Sequence, residues 1–258
     1  MRKDPILIAG PCVIENRKML YKIAGFINTM KKSIRYPLFF KASFDKANRS
    51  SIDSFRGVGL KRGLKLLKEI KNEFGLKILT DIHETYQVEK VSEIVDVIQI
   101  PAFLSRQTDL IIEAAKSGKM VNIKKGQFMS PKEALLAFEK AIKHTNNRVF
   151  ITERGTTFGY SDLVVDFRTA DFLLSHGVEV IMDITHSCQK PANSNNSSGG
   201  DKRYAFAFSK IAGAMGFSGL YAEVHPSPTN ALSDSSIQLS PDEYEMALKL
   251  YLKFYENN

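Results

Sequence analysis

Eight short apolar runs recur along the chain, separated by segments in which apolar residues return with helical spacing. The runs are residues 6–9, 38–40, 76–79, 97–100, 121–123, 149–151, 178–184 and 220–222. They are continuous rather than alternating, which is typical of parallel strands covered on both faces. Eight strand–helix alternations within 258 residues match the length of a closed (β/α)8 barrel, the TIM-barrel architecture. The pattern therefore predicts an α/β fold in which residues 1–258 form one domain.

Local signals mark several helix ends. Residues 130–133 (SPKE) and 240–243 (SPDE) each supply a serine N-cap, a proline at the first helical position and a capping-box glutamate. We expect helices to start there, the second of them ending near Tyr255. Four glycines lie just before predicted strands, where a helix end commonly needs left-handed backbone. They are Gly75, Gly118, Gly177 and Gly219.

Each apolar run leads into residues that can take part in chemistry or binding. In chain order they are Cys12, Lys41, Asp81, Phe103, Lys124, Glu153 with Arg154, His186 and Glu223. In a (β/α)8 barrel the carboxyl ends of all eight strands meet at one face, where active sites lie. The polar stretches 45–59 and 189–202 follow the second and seventh runs, and loops of that length are typical of lids or binding segments. The pattern predicts an enzyme.

Composition excludes several other classes. The apolar runs are far shorter than the roughly 20 residues of a membrane span, and residues 1–5 lead so directly into the first run that a signal peptide has no room. Two cysteines are too few for a disulfide framework, which favours a reducing cytoplasm. No nucleic-acid recognition motif is present. The net charge of +8 is either a lysine-rich solvated surface or a field that gathers anionic substrates.

A set of cations stands at strand ends or in the loops that follow them. Its members are Lys41, Lys46, Arg49, Arg106, Lys124 and Arg154. A cation at the end of an apolar strand is costly unless an anion faces it. Any one of them could pair with a nearby carboxylate, but together they exceed the carboxylates expected at that face. The surplus predicts a ligand with more than one phosphate or carboxylate.

Four potential metal ligands come from strands that neighbour each other in a closed barrel. They are Cys12, His186, Glu223 and Asp234. One thiolate, one imidazole and two carboxylates suit Zn²⁺, Fe²⁺ or Mn²⁺. Taken singly, the cysteine could be a small buried apolar residue and the histidine a hydrogen-bonded core residue. Asp81 and His83 lie at the end of the third strand. They could bind a substrate hydroxyl together or form a structural hydrogen bond with each other.

Motifs along the whole chain resemble the 3-deoxy-D-manno-octulosonate 8-phosphate synthase family. They are GPC at 10–12, KASFDKANRSS at 41–51, TDIHE at 80–84, QIPAF at 99–103, RQTD at 106–109, KKGQF at 124–128, ERGTTFGY at 153–160, DITHS at 183–187 and ALSD at 231–234. The family condenses phosphoenolpyruvate with D-arabinose 5-phosphate and releases inorganic phosphate on the route to lipopolysaccharide. Its metal-dependent branch has cysteine where Cys12 stands, so the resemblance implies a divalent metal and strengthens the ligand hypothesis.

The resemblance also implies roles for individual positions. It implies catalytic roles for Lys41, Lys46, Asp81, His83, Lys124, His186 and Asp234. It implies substrate binding by Asn48, Arg49, Ser50, Gln99, Ala102, Phe103, Arg106, Lys124 and Arg154. Within that set, Lys124 and Arg154 are expected to hold the phosphate of phosphoenolpyruvate. Arg106 is expected to complete the sugar-phosphate pocket of a neighbouring subunit, which implies a homotetramer.

Three alternatives differ in chemistry. The sister synthase acts on erythrose 4-phosphate to make 3-deoxy-D-arabino-heptulosonate 7-phosphate, and it typically has Lys-Pro-Arg-Thr where this chain has residues 46–50, so Asn48 is the discriminating position. A Schiff-base aldolase would use Lys124 and would be trapped by borohydride. A barrel that only binds phosphosugars would have no use for the candidate metal ligands.

Overall fold

The strands of the computed structural model form a closed parallel barrel, as the apolar runs predict. The structure describes residues 3–49, 51–160, 162–194 and 197–258. The strands are β1 Ile6–Gly10, β2 Leu38–Lys41, β3 Lys77–Asp81, β4 Val97–Ile100, β5 Met120–Lys124, β6 Val149–Glu153, β7 Thr156–Phe158, β8 Asp162–Val164, β9 Glu179–Asp183, β10 Gln189–Ser194, β11 Ser197–Gly200 and β12 Gly219–Glu223. The order around the barrel is β1-β12-β9-β6-β5-β4-β3-β2, which confirms the predicted (β/α)8 fold.

Helices cover the outside of the barrel. They are α1 Arg17–Lys31, α2 Leu60–Phe74, α3 Val88–Ser92, α4 Thr108–Lys116, α5 Pro131–Ile142, α6 Phe167–Ser175, α7 Tyr204–Ala214 and α8 Pro241–Glu256. Both predicted capping boxes are present, with Ser130 and Ser240 accepting hydrogen bonds from the backbone N–H groups of Glu133 and Glu243. Among the helices described, none has the length and hydrophobicity needed to cross a bilayer.

Two apolar layers hold the fold together. The strand residues that fill the barrel interior are Ile6, Ile8, Phe39, Leu79, Val97, Phe150, Ile181 and Tyr221. A larger cluster lies between the strands and the helices. Every barrel strand is therefore buried on both faces, which is why its sequence is continuously apolar.

The expectation for Gly219 is wrong, although those for the other three glycines are confirmed. Gly75, Gly118 and Gly177 have positive φ angles, but the left-handed residue after α7 is Gly216. Gly219 is the first residue of β12, where a Cβ atom would lie 2.0 Å from the carbonyl oxygen of Ile6. It is needed there because β1 and β12 approach closely, not because a helix ends.

Two parts of the predicted pattern differ in detail from the structure. The seventh apolar run continues to residue 184, but β9 ends at Asp183, and a 3-10 turn begins at His186. The polar stretch 189–202 contains the antiparallel hairpin β10–β11. A second hairpin, β7–β8, follows β6. The loops after β6 and β9 thus carry strands of their own on the face where the barrel strands end.

Candidate active site

Three of the four candidate metal ligands meet at the carboxyl end of the barrel. One potential ligand atom from each of Cys12, Glu223 and Asp234 lies within 4.8 Å of the others. The register between β1 and β12 causes this approach, because Gly10 is opposite Glu223 and the cysteine follows two residues later. The Cys12 thiol donates to Asp234 Oδ2 at 3.0 Å.

His186 reaches the same cluster from the turn after β9. Its Nε2 atom lies 3.5 Å from Glu223 Oε1, and its Nδ1 atom lies 2.7 Å from Asp183 Oδ2. A carboxylate that accepts from Nδ1 leaves Nε2 as the atom available to a metal, the arrangement common around metal-bound histidines. The structure therefore brings all four predicted ligands to one place, with the imidazole at its edge.

The chemistry of this cluster fits a divalent cation. Burial and the Glu223 carboxylate raise the pKa of the Cys12 thiol well above its ordinary value, so the thiol needs a cation before it becomes a thiolate. Glu223 Oε2 is buried without a hydrogen-bond partner among the described residues. Asp234 has a φ of 50°, the sole positive value at a non-glycine position in the part described. A thiol, an imidazole and two carboxylates are a donor set for Zn²⁺, Fe²⁺ or Mn²⁺.

Two lysines approach this cluster from β2 and the loop that follows. Lys41 is buried and donates to Glu223 Oε1 at 3.2 Å and to the carbonyl of Cys12 at 2.8 Å. Burial alone would lower the pKa of Lys41, but Glu223 and Cys12 outweigh it and raise the pKa. Cys12 and nearby carboxylates likewise overcome the effect of burial and raise the pKa of Lys46. Both side chains are thus held as ammonium ions beside the cluster.

A second pair of cations lies at the ends of β5 and β6. They face the barrel mouth, the opening at the carboxyl ends of the barrel strands. Lys124 and Arg154 are 5% and 6% exposed, so each is almost removed from solvent. Lys124 donates to Asp183, and its Nζ atom lies 3.4 Å from the ring centroid of Tyr221. Arg154 donates through Nη2 to Gln189 at 2.7 Å, while Nη1 is buried without a partner among the described residues. An unpaired guanidinium nitrogen beside a lysine is suited to an anion.

Two adjacent residues of the same strand ends point away from the mouth. Lys125 and Glu153 form an ion pair of 3.6 Å between Nζ and Oε2, and their side chains are 0% and 1% exposed. Lys125 also donates to Thr156 Oγ1 at 3.0 Å, and Glu153 accepts from the backbone N–H of Gly155 at 2.6 Å. This pair joins the ends of β5 and β6, beside Lys124 and Arg154.

The remaining predicted residues lie around the same mouth but not all against the cluster. His83 and Asp81 are paired at 3.2 Å, while Asp81 Oδ1 and His83 Nδ1 have no hydrogen-bond partner among the described residues. The Gln99 oxygen accepts from Asn122 at 2.9 Å. Arg49 donates to the carbonyl of Phe55 at 3.1 Å. Asn48 and Phe103 are exposed and Ala102 is half-buried, and Ser50 lies outside the described residues.

Arg106 is the exposed member of the cationic set. Its side chain is 64% exposed and pairs with Glu133 at 3.2 Å. It lies at the start of the loop that leads into α4 and does not reach the cluster of its own subunit. Its predicted role in a neighbouring subunit therefore stays a prediction.

Comparison with known proteins identifies the family. The family model for the DAHP synthetase I family matches residues 2–256. The chain belongs to that family. A 2-dehydro-3-deoxyphosphooctonate aldolase from Wolinella succinogenes is 47% identical, with 97% of this chain and 99% of the relative covered. A protein with the same name from Helicobacter pylori strain P12 is 46% identical, with 96% of this chain and 95% of the relative covered. Another from Geotalea daltonii is 47% identical, with 95% of this chain and 90% of the relative covered.

Sequence analysis missed three residues that connect the site in this DAHP synthetase I family member. Asp183 accepts from both Lys124 and His186, and Gln189 contacts Arg154 and Asp234. Tyr221 lies under Lys124, and its buried hydroxyl has no partner among the described residues. Asp183 could have been found, since it ends an apolar strand three residues before a predicted metal ligand. Gln189 and Tyr221 carry no comparable signal.

Proposed function

We propose that this chain condenses phosphoenolpyruvate with D-arabinose 5-phosphate and water, giving 3-deoxy-D-manno-octulosonate 8-phosphate and inorganic phosphate. The product is the phosphorylated precursor of the Kdo sugar of lipopolysaccharide. The observation that carries the proposal is the meeting of two buried cations with a Cys/His/Glu/Asp cluster at one barrel mouth. Relatives at 46–47% identity over nearly the whole chain bear the name of this aldolase.

The two cation pairs suit the two ends of phosphoenolpyruvate. Lys124 and the unpaired nitrogen of Arg154 would bind the phosphate, together with the backbone at Ala102 and Phe103. Lys41 and Lys46 would contact the carboxylate and the reacting oxygens. Because each substrate is an anion, four buried or half-buried cations offset their mutual repulsion and hold them for what becomes an effectively intramolecular reaction.

The chemistry then runs through carbons 3 and 2 of phosphoenolpyruvate. Carbon 3 attacks the aldehyde of the sugar, positive charge develops at carbon 2, and water adds there. The resulting hemiketal phosphate collapses with loss of inorganic phosphate, whose charge Lys124 and Arg154 would stabilise. Asp81 and His83, a pair with one free polar atom on each side chain among the described residues, would orient a hydroxyl of the sugar or the attacking water.

A divalent ion, Zn²⁺, Fe²⁺ or Mn²⁺, would be held by Cys12, His186, Glu223 and Asp234. When bound it would supply Lewis acidity for the aldehyde or acidify the attacking water. The thiol of Cys12, whose pKa is raised in the absence of a cation, would lose its proton on binding.

The sugar and the assembly complete the proposal. Asn48, Arg49 and Ser50 would bind arabinose 5-phosphate, and Gln99 would contact the bound substrates. Arg106, which reaches into solvent, would complete this pocket in a neighbouring subunit of a homotetramer. A cytoplasmic location is supported by two thiols that are both free in the structure, as expected in a reducing compartment.

Phosphate release by the purified protein tests this function against its alternative. Arabinose 5-phosphate and erythrose 4-phosphate would each be offered with phosphoenolpyruvate, with and without a strong chelator. We expect release with the pentose phosphate, loss of release in chelator, and recovery after a divalent metal is restored. Faster turnover of erythrose 4-phosphate would support the 3-deoxy-D-arabino-heptulosonate 7-phosphate synthase alternative instead, and binding without release from either sugar would refute both.

A further inference from the structure

Asp183 stands between a phosphate-site cation and a metal-site ligand. Its Oδ2 atom accepts from Lys124 Nζ and from His186 Nδ1, the latter at 2.7 Å. Its Oδ1 atom accepts from the backbone N–H groups of Thr185 and His186 at 3.0 and 2.8 Å and from the Thr185 hydroxyl at 2.9 Å. The carboxylate is fully buried and cannot rotate away without losing these bonds. The ammonium and the imidazole therefore share one oxygen.

Gln189 makes a second, independent connection of the same kind. Its Oε1 atom accepts from Arg154 Nη2 at 2.7 Å, and its Nε2 atom donates to Asp234 Oδ1 at 2.9 Å. The residue begins β10 and is half-buried. Each of the two cations proposed to bind phosphate is thus one side chain away from a proposed metal ligand.

We propose that Asp183 and Gln189 couple the two halves of the site, so that phosphoenolpyruvate and the divalent cation each bind more tightly when the other is present. This inference rests on the function proposed above. It goes further by naming the side chains that link the two binding events. Both are positioning residues, because each acts through a neighbour and not on a reacting atom.

The sign of the coupling follows from the shared oxygen. Without phosphate, Lys124 draws on Asp183 Oδ2 and competes with the imidazole N–H for it. A bound phosphate draws the Lys124 ammonium partly away from Asp183. The Asp183 carboxylate then polarises His186 more strongly. An imidazole whose N–H is held by an ionised carboxylate is the better metal ligand. By reciprocity, the cation must raise the affinity for phosphoenolpyruvate by the same factor.

Cobalt titration measures this coupling without turnover. The full-length protein would be titrated with Co²⁺ buffered by a chelator, with and without saturating phosphoenolpyruvate, while the thiolate-to-cobalt absorption band is followed. We expect affinity to rise by about fivefold or more, the lower end of typical coupling between sites. A direct electrostatic attraction between the phosphate and the cation would also raise the Co²⁺ affinity. Variants must therefore separate this attraction from coupling through Asp183 and Gln189.

Asp183→Asn keeps the size of the side chain but removes its charge, and Gln189→Leu removes the second connection. Asp166→Asn, the same substitution at the half-buried N-cap of α6, is the matched control. The coupling factor is the ratio of Co²⁺ affinity with phosphoenolpyruvate to that without it. We expect this factor to fall toward one in Asp183→Asn, to fall partly in Gln189→Leu, and to keep its wild-type value in the control. Asp183→Asn should also weaken Co²⁺ binding by about 10–100-fold, the usual effect of removing such a partner.

Several outcomes would overturn the inference. If both ligands bind and turnover is normal, yet the wild-type factor is one, the sites are uncoupled and the proposed function survives. If the factor persists undiminished in both connector variants, the attraction acts through space. Should Asp183→Asn not fold, Gln189→Leu against the control still decides the outcome. Absence of the thiolate band, or of phosphoenolpyruvate binding, would instead refute the proposed function on which the inference rests.

Discussion

The buried pair Lys125–Glu153 gives the sharpest prediction for stability. Glu153→Gln replaces a carboxylate with an amide of the same shape and leaves the ammonium of Lys125 in a site where it is 0% exposed. Burial raises the pKa of Glu153 and lowers that of Lys125, so each partner is charged chiefly because the other is present. Within the described residues, Glu153 Oε2 has no hydrogen-bond partner, and the 3.6 Å approach of Lys125 is its main compensation.

The expected cost is that of a buried charge without its counterion. Removing one partner of such a pair typically costs about 3–5 kcal/mol. For a domain of this size each kilocalorie lowers the melting temperature by roughly 2–4 °C. Glu153→Gln should therefore lower it by about 6–20 °C. Because Lys125 and Glu153 are adjacent in sequence to Lys124 and Arg154, the variant should also raise the Michaelis constant for phosphoenolpyruvate more than that for the sugar.

Calorimetry or denaturant unfolding of three variants checks this reasoning. Glu245→Gln is the control, since the pair Lys249–Glu245 is exposed at 73% and 47% and should contribute about 0.5 kcal/mol or less. Lys125→Met with Glu153→Leu removes both charges and should recover much of the loss, because an apolar pair leaves no charge unpaired. A melting temperature of Glu153→Gln within 2 °C of wild type, or a double variant less stable than Glu153→Gln, would refute the argument.

Three further predictions concern the proposed metal ligands, the proposed contact between subunits and the base of the barrel. Cys12→Ala should keep the fold but lose bound metal and most turnover, as metal analysis and phosphate release would show; full activity in strong chelator would count against the ligand assignment. Arg106→Ala should raise the Michaelis constant for the pentose phosphate far more than that for phosphoenolpyruvate, and equal effects would argue against a cross-subunit pocket. Hydrogen bonds and charge from Arg148 and Lys3 outweigh burial and lower the pKa of Glu179. The Glu179 carboxylate therefore stabilises the fold above its unfolded pKa of about 4.3, and this stabilisation is lost as pH falls through the lower pKa of the folded state. The stability difference between wild type and Glu179→Gln should therefore shrink as pH falls below about 4, and a constant difference down to pH 2 would refute it.

The barrel could be predicted from sequence because its elements are defined locally. Each barrel strand is short, largely apolar and buried on both faces, so composition alone reveals it. Capping boxes at Ser130 and Ser240 involve residues three apart and need no knowledge of tertiary structure. Gly219 shows the limit of this reasoning. Its requirement comes from the carbonyl of Ile6, which is more than two hundred residues away, and sequence neighbours gave the wrong reason for the glycine.

For the candidate site, the convergence of strand-end residues on one face was predictable, but the contacts between them were not. Strand ends converge in any closed barrel, so Cys12, Lys124 and Glu223 could be assigned to one mouth. Which atom donates to which depends on side-chain rotamers and on loop paths, neither of which has a periodic signal. Gln189 lies in a polar stretch that reads as a loop, and its contacts with Arg154 and Asp234 depend on the hairpin that it begins.

Two neighbouring strand ends show how one barrel edge holds a charged pocket together. Successive residues of a strand point to opposite faces, so Lys124 and Arg154 face the mouth while Lys125 and Glu153 face the packed layer behind it. The pair behind is neutral overall, with its partners 3.6 Å apart, whereas the two in front are both cations and repel each other. Asp183 offsets this repulsion as the counterion of Lys124, while Gln189 accepts a hydrogen bond from Arg154. An anion that binds Lys124 must therefore compete with Asp183, and under the proposed coupling this competition links phosphate binding to His186, which Asp183 also contacts.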